Sequence, residues 1–261
     1  MPSPSPAPEP PAPELSVIIP ARNNYPHIAA TLDAVRAAWH DVEVLVVTDT
    51  RTTGPTAADT RTYALTTDAR VRLLDVPGAK AAAVHAGFTA ARGRAVAYLD
   101  ADYGLEADPT DLQTAACRVL SGETDCIAAH RDQHDWSRAR RFKTNGFILA
   151  TRLLFPHLPV RDTQAPLKVM NRAAADLVAQ TATWRTWAFD VELLHLLDTA
   201  GLSVTAQPVH WAGRGGEHSW ASLVLVTLMA PGMVRGLLAA RLRTWGRRRK
   251  AVLSGRRDSG A

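Results

Sequence analysis

Cysteine is scarce in this sequence, whose 261 residues include only Cys117 and Cys126. The two form no C-x-x-C pair, and no cysteine and histidine are spaced as in a zinc site. A disulfide framework and a zinc module are therefore disfavoured as the basis of the fold. We predict that both thiols are reduced and that the protein is cytoplasmic.

The sequence also lacks a long hydrophobic run. The longest uncharged apolar run, residues 219–234, is interrupted by Pro231-Gly232, whereas a membrane span needs about 20 apolar residues. The N-terminus has neither the charged nor the apolar region of a signal peptide, and its prolines predict a disordered leader over residues 1–14. Peripheral contact with the inner face of the cell membrane stays an open hypothesis.

Aromatic residues are few, at 6% of the sequence, whereas basic residues give a net charge of +5. Residues 235–250 contain seven basic side chains and no acidic one. Such a block points to phosphate groups on a nucleic acid, a membrane surface or a substrate. In a second basic stretch, residues 131–143, aromatic side chains do not alternate with the basic ones for stacking on bases, so we expect no nucleic-acid partner.

The segment 221–250 has an apolar half followed by that basic half. It could lie in the membrane plane and bind anionic lipid, or pack on the domain with a loose basic end. The membrane interpretation places one set of apolar side chains on one helical face: Val224, Leu228, Met233, Leu237, Leu238 and Leu242. We expect one large domain over 15–220 and a disordered tail over 251–261.

Short apolar runs alternate with helical patterns in the first hundred residues. The runs are typical of buried strands, which we predict over residues 15–21, 42–49, 71–77 and 95–100. The predicted helices between them are one with Ile28, Leu32, Val35 and Trp39 on one face, one ending near Leu65, and one over 80–92. This alternation predicts an α/β fold, a mostly parallel sheet with helices on both faces.

Polar residues follow three of the predicted strands, at 21–24, at Asp49 and at 100–102. Ligands of parallel sheets bind beyond the carboxyl ends of the strands, so these residues should line one crevice. The first strand is not followed by G-x-G-x-x-G, which disfavours a dinucleotide-binding site. The sequence also has no P-loop, no G-x-S-x-G and no H-E-x-x-H.

Asp100 and Asp102 end the fourth predicted strand. Residues two apart on an extended chain point to the same side, so both carboxylates could face one ion. Mg²⁺ and Mn²⁺ prefer oxygen ligands, and Mg²⁺ is typically held by one or two carboxylates together with substrate phosphates. We therefore predict a Mg²⁺ or Mn²⁺ site that neutralises a diphosphate leaving group; a polar surface turn is the alternative.

Three segments resemble the nucleotide-sugar half of the inverting family 2 glycosyltransferases, which have the GT-A fold: LSVIIPARNN, VEVLVVTD and GAKAAAVHAGFTAARGRAVAYLDAD. Later segments resemble the polyprenyl- and dolichyl-phosphate glycosyltransferases, above all the dolichyl-phosphate glucosyltransferases. They are HR at 130–131, RRFKTN at 140–145, DTQAPLK at 162–168, WAFDVELL at 187–194 and PVHW at 208–211. The resemblance covers roughly residues 15–220, and the ordered series is more specific than any one motif.

The resemblance implies a donor site for a UDP- or GDP-linked sugar. Its residues would be Pro20, Ala21 and Arg22 at the nucleotide, Asp49 at the base, Lys80 at the diphosphate, and Asp100 and Asp102, the Asp-x-Asp pair, at the metal.

The resemblance also implies an acceptor site. Thr163 and Gln164 match the Asp-Thr-Gln segment of the branch, near the transferring sugar and the acceptor phosphate. Arg131 is the first candidate for a phosphate clamp and Arg141 the second, because the planar guanidinium suits phosphate. A solvated helix face is the alternative for this basic stretch.

Three residues are candidates for a catalytic role: Asp162, Lys168 and Asp190. Lys168 would hold the charge of the acceptor, together with the arginines. A phosphate acceptor is already ionised and needs no base, whereas a hydroxyl acceptor would need one, and Asp190 could serve. Asp162 is the rival for a direct role, on the resemblance alone.

The function predicted from these features is inverting transfer of a hexose from a nucleotide-sugar to a polyprenyl phosphate. One alternative is a soluble glycosyltransferase acting on a hydroxylated small molecule, such as a nucleoside or a secondary metabolite. Ala165-Pro166-Leu167 favours it, because the branch usually has Cys-Gly-Phe there. The other alternative is a non-catalytic nucleotide-sugar-binding module.

Overall fold

The computed structural model describes residues 11–22, 27–49, 70–132, 136, 138–181, 188–209, 211, 235–239 and 241–242. Several predictions concern other parts of the chain. The first ten residues of the leader, the helix ending near Leu65, most of the segment 221–250 and the tail 251–261 lie outside the described residues.

A seven-stranded sheet forms the centre of the fold, with strand order β3-β2-β1-β4-β6-β5-β7. Its strands are β1 Leu15–Ala21, β2 Val42–Asp49, β3 Val71–Val76, β4 Ala95–Leu99, β5 Cys126–Arg131, β6 Leu167–Asn171 and β7 Val204–Val209. β6 is antiparallel to its neighbours β4 and β5, and the other strand pairs are parallel. The predicted α/β fold with a mostly parallel sheet is confirmed.

Helices pack on both faces of this sheet. In the described part of the chain they are α1 His27–Ala38, α2 Lys80–Ala90, α3 Tyr103–Glu106, α4 Pro109–Leu120, α5 Arg138–Leu154, α6 Arg172–Thr181 and α7 Phe189–Thr199. α1 and α4 share one hydrophobic layer with Val17 and Ile19 of β1. α2, α6 and α7 share the opposite layer with Ile18, because successive strand residues point to opposite faces.

The predicted strands and helices agree closely with the structure. β1 and β2 have the predicted bounds, and every residue of β2 is buried, as expected of a central parallel strand. β3, β4 and α2 each end one or two residues earlier than predicted. At β4 the chain leaves the sheet at Asp100 and enters a turn. Cys117 and Cys126 are free thiols, as predicted.

A few residues of the segment 221–250 lie in the described structure. Leu237 is fully buried against Phe155 and Val191, whereas its neighbour Leu238 and Leu242 are exposed. At Leu237 the structure therefore favours the second alternative, a helix packed on the domain. Among the described residues, every helix falls short of the length and hydrophobicity of a membrane span.

β1 lies at the switch point of the sheet. The chain places β2 and β3 on one side of β1 and then crosses to β4 on the other side. The carboxyl ends of β1, β2 and β4 consequently meet at one edge of the sheet. In open α/β sheets this is the place where a crevice forms for a ligand.

A buried acidic residue, Glu43 on β2, stabilises the opposite edge of the sheet. Its carboxylate accepts hydrogen bonds from the Ser16 hydroxyl (2.6 Å), from Arg72 Nη1 (2.8 Å) and from Arg92 Nε (2.9 Å). Burial alone would raise the pKa of Glu43, but the hydrogen bonds outweigh burial and lower the pKa below its ordinary value of 4.5. Because the pKa is lowered by folding, Glu43 stabilises the fold in its ionised form.

Glu43→Gln should lower the free energy of unfolding by about 1–2 kcal/mol at neutral pH, because it weakens hydrogen bonds to a charged group. The difference in the free energy of unfolding between variant and wild type should have its full size above pH 4.5, the ordinary pKa of this carboxyl. It should vanish as the pH falls through the lower pKa that Glu43 has in the folded protein. Denaturant unfolding over a pH series measures it. A difference that grows in acid would contradict this role.

Candidate functional site

A cavity of about 360 Å³ opens at the carboxyl ends of β1, β2 and β4. We call it the strand-end cavity. Its volume lies within the range of small-molecule sites. Its wall consists of Pro20, Ala21, Arg22, Val47, Asp49, Gly78, Ala79, Lys80, Ala83, Asp100, Ala101 and Asp102. The wall therefore includes each of the seven residues predicted to bind the donor.

The turn that carries Asp100 and Asp102 is not the extended chain assumed from the sequence. β4 ends at Leu99, residues 101 and 102 form a turn, and α3 begins at Tyr103. The two aspartates are therefore not placed by strand alternation, contrary to the prediction. Both nevertheless line the strand-end cavity.

Thr31 of α1 holds this turn in place. Its buried hydroxyl donates a hydrogen bond to the Ala101 carbonyl oxygen (2.8 Å) and accepts one from the Gly104 backbone N–H (2.9 Å). α3 also approaches α1 so closely that a Cβ on Gly104 would lie 2.2 Å from the Ala30 carbonyl oxygen. Sequence reasoning missed Thr31, because its partners are about 70 residues away along the chain.

Thr31→Val should weaken Mn²⁺ binding and any metal-dependent transfer by about 10-fold to 100-fold, as is typical when the support of metal ligands is lost. The valine keeps the shape of the side chain but removes the hydroxyl that holds the turn. Thr31→Ser retains that hydroxyl and is the matched control. Titration of both variants with Mn²⁺ measures the change in affinity. An equal loss of Mn²⁺ affinity in both variants would show that Thr31 acts only through packing.

Opposite charges are paired across the strand-end cavity. Lys80 Nζ lies 2.5 Å from Asp100 Oδ1, and Arg22 Nη1 lies 3.7 Å from Asp49 Oδ2. Burial would lower the pKa of Lys80, but the attraction of Asp100 and Asp190 outweighs it and raises the pKa. Lys80 therefore carries a positive charge at the wall of the cavity, where its ammonium group could pair with a bound diphosphate.

The acidic pair fits a hard divalent cation. Burial, and after it the neighbouring charge of Asp100, raises the pKa of Asp102. Two carboxylates that repel each other at the wall of a polar cavity would be stabilised by a bound cation. Their oxygen atoms are the ligands that Mg²⁺ and Mn²⁺ prefer.

Near Lys80, Lys168 of β6 and Asp190 of α7 form a buried ion pair. Lys168 is only 1% exposed, and its Nζ lies 2.6 Å from Asp190 Oδ1 and 2.9 Å from the Ala165 carbonyl oxygen. Burial raises the pKa of Asp190, and Lys168 and then Lys80 oppose this shift. Two of the predicted catalytic residues are thus buried and are not wall residues of the strand-end cavity, and each is partnered by the other.

Tyr98 of β4 connects this pair to the cavity. Its ring centroid lies 5.2 Å from Lys168 Nζ and 5.5 Å from Lys80 Nζ. Burial, followed by the charges of Asp190 and Asp100, raises the pKa of Tyr98 well above its ordinary value, so the phenol stays neutral. An aromatic ring between two ammonium groups is a favourable cation–π arrangement. No sequence motif predicts this role of Tyr98.

Asp162, the third predicted catalytic residue, is also held by a cation. Its carboxylate, 2% exposed, accepts hydrogen bonds from Arg131 Nε (2.7 Å) and Arg131 Nη2 (3.0 Å). This two-point pair fixes the plane of the guanidinium at the end of β5. The Arg131 guanidinium also lies 5.1 Å from the ring centroid of Trp136. The geometry favours Asp162 as the residue that orients Arg131.

A second cavity of about 300 Å³ lies beside Arg131. We call it the arginine cavity, because three of its wall residues are arginines. They are Arg131, Arg152 and Arg161, together with His130, Asp132, Asn145 and Ile148. Of the three arginines, only Arg131 was predicted from the sequence. The helical spacing of Asn145, Ile148 and Arg152 could have indicated Arg152, since it puts these three residues on one face of α5.

The remaining predicted acceptor residues lie near these groups in the chain. Thr163 is buried, and neither its Oγ1 nor Gln164 Nε2 has a hydrogen-bond partner in the described structure. Buried polar atoms without partners are costly and are often completed by a ligand or water. Arg141 is exposed on α5 and is not part of the arginine-cavity wall.

The sheet order and the cavity at its switch point are those of the GT-A fold. The same architecture occurs in glucosyl-3-phosphoglycerate synthase from Mycobacterium tuberculosis, solved with Mn²⁺, UDP-glucose and glycerol 3-phosphate. That structure has a TM-score of 0.64 at 16% sequence identity, over 88% of this chain and 80% of that chain. The likeness at this identity concerns the fold.

Residues 16–183 match the sequence profile of glycosyl transferase family 2, and the chain belongs to this family. A dolichyl-phosphate beta-glucosyltransferase of Drosophila melanogaster is 30% identical over 79% of this chain and 69% of its own length. An uncharacterized glycosyltransferase of Mycobacterium tuberculosis is 30% identical over 88% of this chain and 96% of its own length. The resemblance predicted from the motifs is confirmed.

Proposed function

We propose that this glycosyltransferase transfers a hexose from a nucleotide-sugar to a polyprenyl phosphate, with inversion at the anomeric carbon. The observation that supports the proposal is that the structure has two cavities, one suited to a metal-bound diphosphate and one suited to a phosphate. The strand-end cavity presents an acidic pair and a lysine, and the arginine cavity presents three guanidinium groups. The relative from Drosophila melanogaster, by its name, acts on dolichyl phosphate.

The donor would bind in the strand-end cavity. Arg22 and Asp49 lie where the nucleotide would enter, and Lys80 lies where its diphosphate would end. A divalent cation, Mg²⁺ or Mn²⁺, held by Asp100 and Asp102 would neutralise the departing diphosphate. Lys80 would then exchange its contact with Asp100 for a contact with the diphosphate.

The acceptor phosphate would bind in the arginine cavity. One of its oxygens forms the new bond to the anomeric carbon from the face opposite the nucleotide, and the bond from that carbon to the diphosphate oxygen breaks. A phosphate is already ionised, so no side chain needs to remove a proton. This agrees with the observation that Asp162 and Asp190 are each engaged by a cation, which suits positioning roles.

Lys168 and Asp190 would have positioning roles. Lys168 donates a hydrogen bond to the Ala165 carbonyl oxygen, next to the Asp-Thr-Gln segment, and the charge of Asp190 attracts Lys80. Most of the rate enhancement would then come from positioning and charge stabilisation.

Membrane contact is part of this proposal, since a polyprenyl chain is anchored in a bilayer. Three large apolar side chains of α5 are exposed, namely Phe142 at 79%, Leu149 at 60% and Leu153 at 73%. Their spacing places them on one stripe of the helix. The arginine-cavity face of α5 lies about a quarter turn away. α5 contains no acidic residue, and its exposed arginines include Arg138 and Arg141.

Replacing Phe142, Leu149 and Leu153 together by serine should lower binding to anionic vesicles at least about tenfold, because apolar area is no longer buried in the bilayer. Since the three side chains are exposed, folding should be unaffected. Vesicle co-sedimentation measures the loss. Transfer to a short-chain, water-soluble prenyl phosphate is the control and should be retained; unchanged vesicle binding would remove α5 from the membrane contact.

A small anionic acceptor is the second candidate. The arginine cavity could equally hold the phosphate of a soluble molecule, and the structural neighbour was solved with glycerol 3-phosphate. In that case a hydroxyl would attack, and a base would be required.

One assay decides between the two acceptors. Purified protein is incubated with labelled UDP- and GDP-hexoses, a divalent cation, and either polyprenyl phosphate in vesicles or a panel of small phosphates and hydroxylated compounds. The proposal predicts label in the organic phase only when the lipid is present. Label confined to the aqueous phase would favour the small acceptor, and donor binding without turnover would contradict both.

A further inference from the structure

A cluster of two histidines and one carboxylate lies outside both cavities. His157 follows α5, whereas His195 and Asp198 lie one turn apart on α7. His157 Nε2 lies 3.1 Å from His195 Nδ1 and 3.8 Å from Asp198 Oδ2. All three potential ligand atoms lie within 4.8 Å of one another.

These distances are close to those of a metal site. Zinc bonds of about 2.0–2.1 Å in tetrahedral geometry place neighbouring ligand atoms about 3.3–3.4 Å apart. The separations of His157 Nε2 from the other two atoms, 3.1 and 3.8 Å, lie on either side of that value. Shifts of less than about an ångström would bring the three atoms around one ion.

The burial of the cluster is uneven in a way that suits metal binding. His195 is 5% exposed, and its ring packs edge-on against Phe155 with centroids 5.1 Å apart. Its Nδ1 lies on the side of His157. His157 is exposed and Asp198 is half-buried, so an ion could enter from solvent and keep a water as its fourth ligand.

We propose that His157, His195 and Asp198 form a site for a divalent transition-metal ion, with Zn²⁺ as the best-fitting class. Imidazole nitrogen selects zinc-like ions, whereas Mg²⁺ prefers oxygen ligands alone. The site is chemically distinct from the oxygen-only pair Asp100 and Asp102, and it does not depend on the proposed function.

Such an ion would link the segment after α5, which carries His157, to α7, which carries His195 and Asp198. The segment that contains His157 continues to Arg161 and Asp162, and α7 begins with Phe189 and Asp190. Binding would therefore stabilise the folded chain, by an amount set by the ion concentration relative to its dissociation constant.

Co²⁺ is the probe, because a histidine-containing site of low coordination number absorbs visible light far more strongly than an octahedral oxygen site. The full chain carrying Asp102→Asn removes one carboxylate of the other metal site. We expect this variant to bind one Co²⁺ with an intense visible spectrum, to lose that spectrum on addition of Zn²⁺, and to unfold at a higher temperature with Zn²⁺ than with EDTA.

Adding His157→Ala should weaken binding at least tenfold and abolish both the spectrum and the thermal shift. Its side chain is exposed, so the fold should be preserved. His40→Ala, at another exposed histidine, is the matched control and should change nothing. A simple hydrogen-bonded histidine pair predicts no metal uptake. Absence of stoichiometric Co²⁺ or Zn²⁺ binding, or an unchanged spectrum in the His157→Ala variant, would overturn the proposal.

Discussion

Asp102→Asn should reduce sugar transfer by about 1,000-fold, since a bound cation supplies several kcal/mol of charge stabilisation to the departing diphosphate. Asp102 is the sharper choice of the two aspartates. Replacing Asp100 would also remove the ion-pair partner of Lys80, 2.5 Å away. Asparagine keeps the size of the side chain and removes its charge.

Initial rates at saturating donor and acceptor, with Mn²⁺ or Mg²⁺ varied, give the measurement. Asp176→Asn is the matched control: it neutralises an aspartate of α6 that is 50% exposed and lies outside both cavity walls. The control should retain full activity. If Asp102→Asn kept wild-type rates at every metal concentration, the acidic turn would have no part in the reaction.

The second large effect is expected at the arginine cavity. Arg152→Met combined with Arg161→Met should raise the KM for the phosphate acceptor by about 100-fold or more, because each charged hydrogen bond contributes about 1.5–3 kcal/mol. Both arginines are exposed. Arg131 is less suitable for this test, because its loss would leave the buried Asp162 carboxylate without its cation.

Acceptor titrations at saturating nucleotide-sugar measure this change, and donor affinity is measured in parallel. Donor affinity should stay within about twofold of the wild type, since neither arginine lines the strand-end cavity. Arg94→Met, an exposed arginine next to β4 at the opposite edge of the sheet, is the control. An unchanged acceptor KM would exclude the arginine cavity as the phosphate site.

The first half of the sheet could be predicted because its residues carry local signals. β1 and β2 are continuous apolar runs, as strands buried on both faces must be, and their bounds were predicted correctly. The strand-end cavity followed from the same reasoning, since parallel strands bring their carboxyl ends to one edge. The predicted donor residues at the strand ends could thus be placed together without knowledge of side-chain contacts, whereas Lys80 was added by the family resemblance.

The acceptor side could be predicted only in part, because it is built from contacts between distant segments. Arg131 pairs with Asp162, and Lys168 pairs with Asp190, across 31 and 22 residues of chain. The antiparallel strand β6, which carries Lys168 between β4 and β5, has no counterpart in the strand–helix alternation of the first half. Ion pairing therefore changes the interpretation of residues that a motif alone presents as catalytic.

In the proposed reaction, the acidic turn after β4 holds a divalent cation together with the sugar diphosphate. Titration of the protein with Mn²⁺, followed by the loss of the free-ion paramagnetic resonance signal, tests this most directly in the presence and absence of UDP- and GDP-hexoses. We expect one bound Mn²⁺ whose affinity rises with the bound donor and falls at least tenfold when Asp100 and Asp102 are both replaced by asparagine. Donor binding of equal affinity with and without the metal, unchanged in that double variant, would contradict it.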